Sequence, residues 1–139
     1  MGNRAVITTK EDLTDIGVYL HWNGGRDSVN AFLTYCKMKG YGPPEKDCYG
    51  WAYLCTVIGN FFGDGLSIGI DTAEKLDCNN FDNGVYLIRE WKISGRKYFN
   101  GYEQNSHDLT EMLIAIDEAQ PSPLGKEYIT EYIKKEINQ

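Results

Sequence analysis

Apolar residues recur along this chain with two different periods, and the alternation between those periods sets out its elements. Residues 29, 32, 33 and 36 (Val29, Phe32, Leu33, Cys36) recur at spacings of three and four, as do Trp51, Leu54, Cys55, Ile58 and Phe62. That spacing stacks them on one face of a helix. The first helix is expected from Asp27 or Ser28, either of which can cap it, to about Lys39, with Gly40 as a left-handed stop. Pro43 and Pro44 then break the chain, and a second, more apolar helix is expected from near Cys48 to Gly63. Leu109, Met112, Leu113 and Ile116 define a third helix starting at Ser106 or Asp108, and Tyr128, Ile129, Tyr132, Ile133 and Ile137 a fourth over residues 126–137.

Between these helices the pattern shifts to β-branched and aromatic residues in short runs. Residues 4–9 and 16–22 read as a hairpin and residues 66–70 alternate strictly, while residues 85–93 have the length of one long strand. Ser94-Gly95 then predicts a turn before residues 96–99. Strands and helices do not alternate singly, so the expected class is α+β: one compact domain with an antiparallel sheet of about five strands packed against about four helices. Residues 1–120 would form the core, and residues 121–139 an amphipathic helix closing it or packing on a second subunit, which makes a homo-oligomer the expected state.

Composition narrows the function. A length of 139 residues suits a single core, and 42% hydrophobic with 24% charged residues suits a folded chain. The formal charge of −6 argues against general nucleic-acid binding and suits a partner with a basic groove. Cys36, Cys48, Cys55 and Cys78 lack paired spacing and are expected as buried free thiols. No membrane-length apolar run occurs, so no membrane partner is expected and the expected compartment is the cytoplasm.

Candidate chemistry concentrates in Trp22-Asn23-Gly24-Gly25-Arg26-Asp27-Ser28. Amides freed at a helix start carry partial positive charge, the two glycines let an anion approach, and Arg26 offers a fork to phosphate oxygens. Trp22, or Tyr49 or Trp51 from the next helix, could stack on a base, a contact of about 1 to 3 kcal/mol. Arg89 and Arg96, among the rings of residues 86–102, are further phosphate candidates. The plain alternative is a turn and a helix cap, since the segment lacks both the P-loop ending and the three-glycine dinucleotide spacing.

Nothing else reaches a catalytic pattern. His21 and His107 have no nucleophile motif, and the acidic residues 71–82 miss the calcium-loop spacing because Phe81 falls at a ligand position. No cofactor or metal is therefore expected, and no catalysis.

Residues 2–7, YLHWNGGRDSV at 19–29 and YGWAYLCTVIGNFFG at 49–63 resemble a family of short proteins carried by bacterial phages, prophages and other mobile elements. The resemblance brings no described active site. It implies a small acidic protein of anti-defence type, working in the host cytoplasm. On this reading the expected function is to sequester a nucleotide-derived immune messenger, such as a cyclic nucleotide or cyclic ADP-ribose, without turning it over. The alternatives are an acidic inhibitor of a host immune nuclease, similar to anti-CRISPR proteins, and a small nucleotide hydrolase.

Overall fold

The computed structural model describes residues 3–63, 67–121 and 129–137. In chain order the elements are β1 (Ala5–Thr8), β2 (Ile16–Leu20), α1 (Arg26–Met38), α2 (Gly50–Phe62), β3 (Ile68–Thr72), β4 (Val85–Arg89), β5 (Lys92–Lys97), α3 (Leu109–Ala119) and α4 (Thr130–Ile137). The strands form one five-stranded sheet in the order β3-β2-β1-β4-β5. The class is α+β, with a single sheet and the helices gathered against one of its faces.

The sheet is mixed rather than antiparallel. β1 and β4 run parallel at its centre, with Val6 opposite Val85 and Ile7 opposite Tyr86. Two antiparallel pairs, β1–β2 and β4–β5, lie side by side, and the crossover through α1 and α2 returns the chain in β1's direction. Pairing direction is set between strands and leaves little trace in the residue pattern within any one of them. The central position does show in burial: all four residues of β1 are buried, as parallel central strands usually are.

Alternate residues of β1 enter two apolar clusters. Ala5 and Ile7 join Val18, Leu20, Phe32, Leu33, Leu54 and Ile58 beneath the helices. Val6 packs with Leu13, Ala73, Cys78 and Val85 on the other face. The expected stripe of α1 (Val29, Phe32, Leu33, Cys36) is fully buried, and Gly40 and Gly63 take the left-handed backbone expected of them.

Four boundaries differ from expectation. α1 begins at Arg26 after Gly25, so neither Asp27 nor Ser28 is its cap. β3 lies two residues later than its alternation suggested, taking in Asp71 and Thr72. The long strand of residues 85–93 is instead two strands, turning at Glu90 and Trp91 with φ of 52° and 62°. Trp91 is buried and its indole N–H donates to the Tyr41 carbonyl at 2.8 Å, while Glu90 pairs with Lys46. These anchors place the turn where a bulky residue must adopt the positive φ, and the Ser94-Gly95 pair lies inside β5 at an irregularity of register. Finally, the fourth helix is described from Thr130, and Tyr128 lies outside the described residues. Its Ile133 is fully buried against the core.

All four cysteines are free thiols. Cys36 and Cys78 are buried and Cys55 partly so, but Cys48 is exposed, because it precedes α2 in the turn after the prolines instead of lying on the helix's inner face.

Candidate functional site

The segment after β2 turns on Asn23, whose φ of 55° is one that asparagine tolerates better than most residues. Gly24 donates its N–H to the Asn3 carbonyl at 2.9 Å and accepts the Tyr86 hydroxyl at 2.7 Å. A Cβ at Gly24 would stand 2.5 Å from that Asn3 oxygen, so the chain's own backbone, arriving ahead of β1, already accounts for this glycine.

Residues 103–107 lie across the start of α1. Asp27 Oδ1 accepts the N–H of Ser28 at 2.7 Å, and its Oδ2 accepts the N–H groups of Ser106 and His107 at 2.8 and 2.9 Å. Glu103 reaches two of the three candidate arginines, at 2.7 Å to Arg96 and 3.7 Å to Arg26. Gln104 accepts from the Asn3 amide at 2.7 Å. Arg96 is held further by the Asn83 carbonyl at 2.8 Å, and its guanidinium lies 4.0 Å from the Tyr86 ring and 3.9 Å from that of Phe99. Burial pushes the Tyr86 phenol well above the usual range, so it stays a donor to Gly24. The positive corner anticipated from the sequence thus exists, and two carboxylates of the same chain face it.

Other candidates lie elsewhere. Trp22 is 45% exposed, its ring edge-on to that of His21, whose Nδ1 is 2.8 Å from the Tyr19 hydroxyl. Ser28 is buried and meets the Asn23 amide at 3.2 Å. Tyr49 and Trp51 stand at the start of α2, where the Tyr49 ring meets that of Tyr53, which stacks on Tyr41 just past the end of α1. A thirteen-residue helix spans roughly 20 Å at about 1.5 Å per residue, so these two rings sit near the far end of α1 from Arg26. Arg89 is exposed beside the Glu90 turn, also at that end. The structure therefore joins Arg26 to Arg96 and separates both from Tyr49, Trp51 and Arg89.

Glu103 is the residue that sequence reasoning passed over. It is a single carboxylate in an irregular loop, with no periodicity to mark it, and only the fold carries it to Arg96. A cavity of about 270 Å³ beside Asn23 is lined by Phe61, His107, Asp108 and Glu111, an acidic wall that disfavours an anion. The helix cysteines are poor nucleophiles: burial pushes Cys36 far above the usual thiol range and Cys55 up to about 11, so both are protonated at neutral pH. Among the described residues, no three His, Cys, Asp or Glu side chains stand where they could hold a metal ion, and no helix is long and apolar enough to cross a membrane.

Two substitutions test this geometry. Trp22→Ala is expected to cost less than about 1 kcal/mol in urea unfolding, as an exposed ring with few partners should. Glu103→Gln is expected to cost about 1 to 3 kcal/mol, because Arg96 loses the charged acceptor that its burial requires. Equal effects would mean that Glu103 is not what holds the corner closed.

No family model, no curated protein and no solved structure matches the chain.

Proposed function

We propose that this chain acts by binding another protein rather than by catalysis, as an acidic inhibitor of the anti-defence kind. The observation that carries the reading is a set of exposed rings on two adjoining loops. Phe81 is 79% exposed and Tyr102 76%, with Tyr98 half-exposed between them in sequence. The Asn100 amide, donating to the Phe81 carbonyl at 3.3 Å, ties the two loops together. Phe81 and Tyr98 also hold φ of 62° and 56°, a conformation bulky residues rarely adopt and one often retained for function.

Solvent-facing rings on a constrained backbone are the anchors that protein interfaces favour. Asp77 and Asp82 flank them, both reached by Arg4, and the formal charge of −6 favours a partner with a basic surface. A nuclease groove that normally holds nucleic acid has that chemistry. The reading as a nucleotide sponge is less well supported, because Glu103 and Asp27 already occupy the groups that a phosphate would need.

Phe81→Gly suits the positive φ and deletes the ring without a packing loss, and Tyr102→Ala does the same at an open position. In pull-downs from a host lysate, the native chain is expected to retain a basic nucleic-acid-binding protein that the double variant releases about thirtyfold more readily. That factor corresponds to about 2 kcal/mol, the threshold of a hot-spot residue. Trp22→Ala should leave capture unchanged. A rise in melting temperature with a cyclic oligonucleotide or cyclic ADP-ribose, lost in Arg26→Ala and kept in the ring variant, would overturn this in favour of the sponge.

A further inference from the structure

Among the described residues the sheet ends in two edges that no further strand covers, and they are not alike. β5 carries Lys92, Arg96 and Lys97 and is irregular where Leu87 and Ile88 pair with it, features that discourage further pairing. β3 reads Ile68-Gly69-Ile70-Asp71-Thr72, with one charge and a regular register along β2. Ile70 is 62% exposed although its partner Val18 is fully buried, and Ile16, opposite Thr72, is also exposed. The apolar face therefore runs past the helices to the sheet margin.

The hydrogen-bond phase shows which groups face outward. The His21 N–H donates to the Ser67 carbonyl at 3.0 Å and the Ala73 N–H to the Asp15 carbonyl at 2.9 Å, so the odd-numbered residues of this segment turn toward β2. Ile68, Ile70 and Thr72 consequently turn their amides and carbonyls to the open edge. Among the described residues, the Thr72 N–H is the one outward group with a partner, the Asp71 carboxylate at 2.7 Å.

We propose that β3 pairs antiparallel with β3 of a second copy of this chain, about a two-fold axis at Ile70, joining two sheets into one of ten strands. In this register Ile70 faces Ile70 of the other copy and Ile68 faces Thr72, so the Ile70 N–H and carbonyl pair reciprocally and the Ile68 N–H meets the Thr72 carbonyl, while the Thr72 N–H stays with Asp71. Asp71 faces Gly69, and no like charges stand directly opposite. The pairing sets the same segment of both copies against itself about the axis, as an isologous contact requires. The formal charge of −6 on each copy opposes association, so the dimer is expected to tighten as salt rises. It is also expected to be weak, since pairing of one short strand buries less than about 1,200 Å².

Sedimentation of the full chain from micromolar to millimolar concentration tests this. The native protein should move from monomer toward twice the chain mass, while Ile70→Lys, at an exposed position, should remain monomeric with an unchanged melting temperature. Hydrogen exchange on the native chain gives a second readout, with the Ile68 and Ile70 amides protected at high concentration and not at low. A monomer at every concentration would overturn the proposal, as would a dimer indifferent to Ile70→Lys or one broken instead by Tyr132→Ala on α4. None of these outcomes depends on Phe81 or Tyr102, so the fate of the inhibitor reading is decided separately.

Discussion

Replacing Asp117 with alanine is expected to remove about 3 to 5 kcal/mol of stability, because three donors lose their buried acceptor and each buried group left unmet costs about 1 to 3 kcal/mol. Asp117 is fully buried on α3, and its two oxygens take the Tyr35 hydroxyl at 2.6 Å, the Ile129 N–H at 2.8 Å and the Thr130 hydroxyl at 2.6 Å. One carboxylate thus ties α1, α3 and the start of α4 together. Alanine would leave the buried Tyr35 hydroxyl without its acceptor and free the first turn of α4. Urea unfolding should show a lower midpoint, and hydrogen exchange should show α4 opening before the sheet. Tyr35→Phe, which removes one donor and leaves the other two, should cost about 1 to 2 kcal/mol. A nearly neutral Asp117→Ala would mean that α4 is held by Ile133 alone.

The same pair predicts an alkaline limb. Burial, and then the bond to Asp117, push the Tyr35 phenol well above its ordinary value. A group whose folded pKa is raised binds its proton more tightly in the folded state, so its contribution is complete at neutral pH. It declines once the pH passes the unfolded tyrosine value of about 10. Tyr35→Phe should flatten that decline.

Gly24→Ala is expected to cost about 3 kcal/mol, at the upper end of ordinary overpacking, whereas Gly25→Ala should cost under about 1 kcal/mol. At Gly24 the new methyl would lie 2.5 Å from the Asn3 carbonyl, 2.8 Å from the Ala5 Cβ and 2.9 Å from the Arg4 carbonyl carbon. Those atoms are the backbone entering β1 and the methyl fixed to its first residue, and they cannot shift without disturbing the centre of the sheet. At Gly25, where φ is −65°, the methyl would meet the Asp27 and Gln104 side chains from 2.9 Å, and these hydrogen-bonded ends can shift by a few tenths of an ångström more readily than the chain at β1. Thermal melts of the two variants check the contrast. A harmless Gly24→Ala would remove the packing explanation and return the glycine pair to a ligand's approach.

How much was legible in advance follows from what each residue answers to. Val29, Phe32, Leu33 and Cys36 answer to the helical repeat, a local property, and all are buried as their spacing required. Asp108 answers to its own first turn, where its side chain accepts the Glu111 N–H at 3.0 Å. Asp27 has the same local chemistry but spends one oxygen on residues 106 and 107, brought there by the fold, and so does not cap α1. Trp91 followed the tertiary anchor at Tyr41 over the turn preference of Ser94-Gly95. The candidate site divided in the same way: Arg26 and its glycines were visible as a motif, while the carboxylate that faces Arg26 and Arg96 lies about seventy-seven residues beyond Arg26.

By itself, the sequence determined the α+β class, the helical faces and the glycine stops, because periodicity and backbone freedom act over a few neighbouring residues. The tertiary structure alone decided that β1 and β4 run parallel, that Glu103 closes the arginine corner, and that Phe81 and Tyr102 stand in solvent. Each of those depends on which distant segments come together, and such meetings are settled by the packing of the whole core.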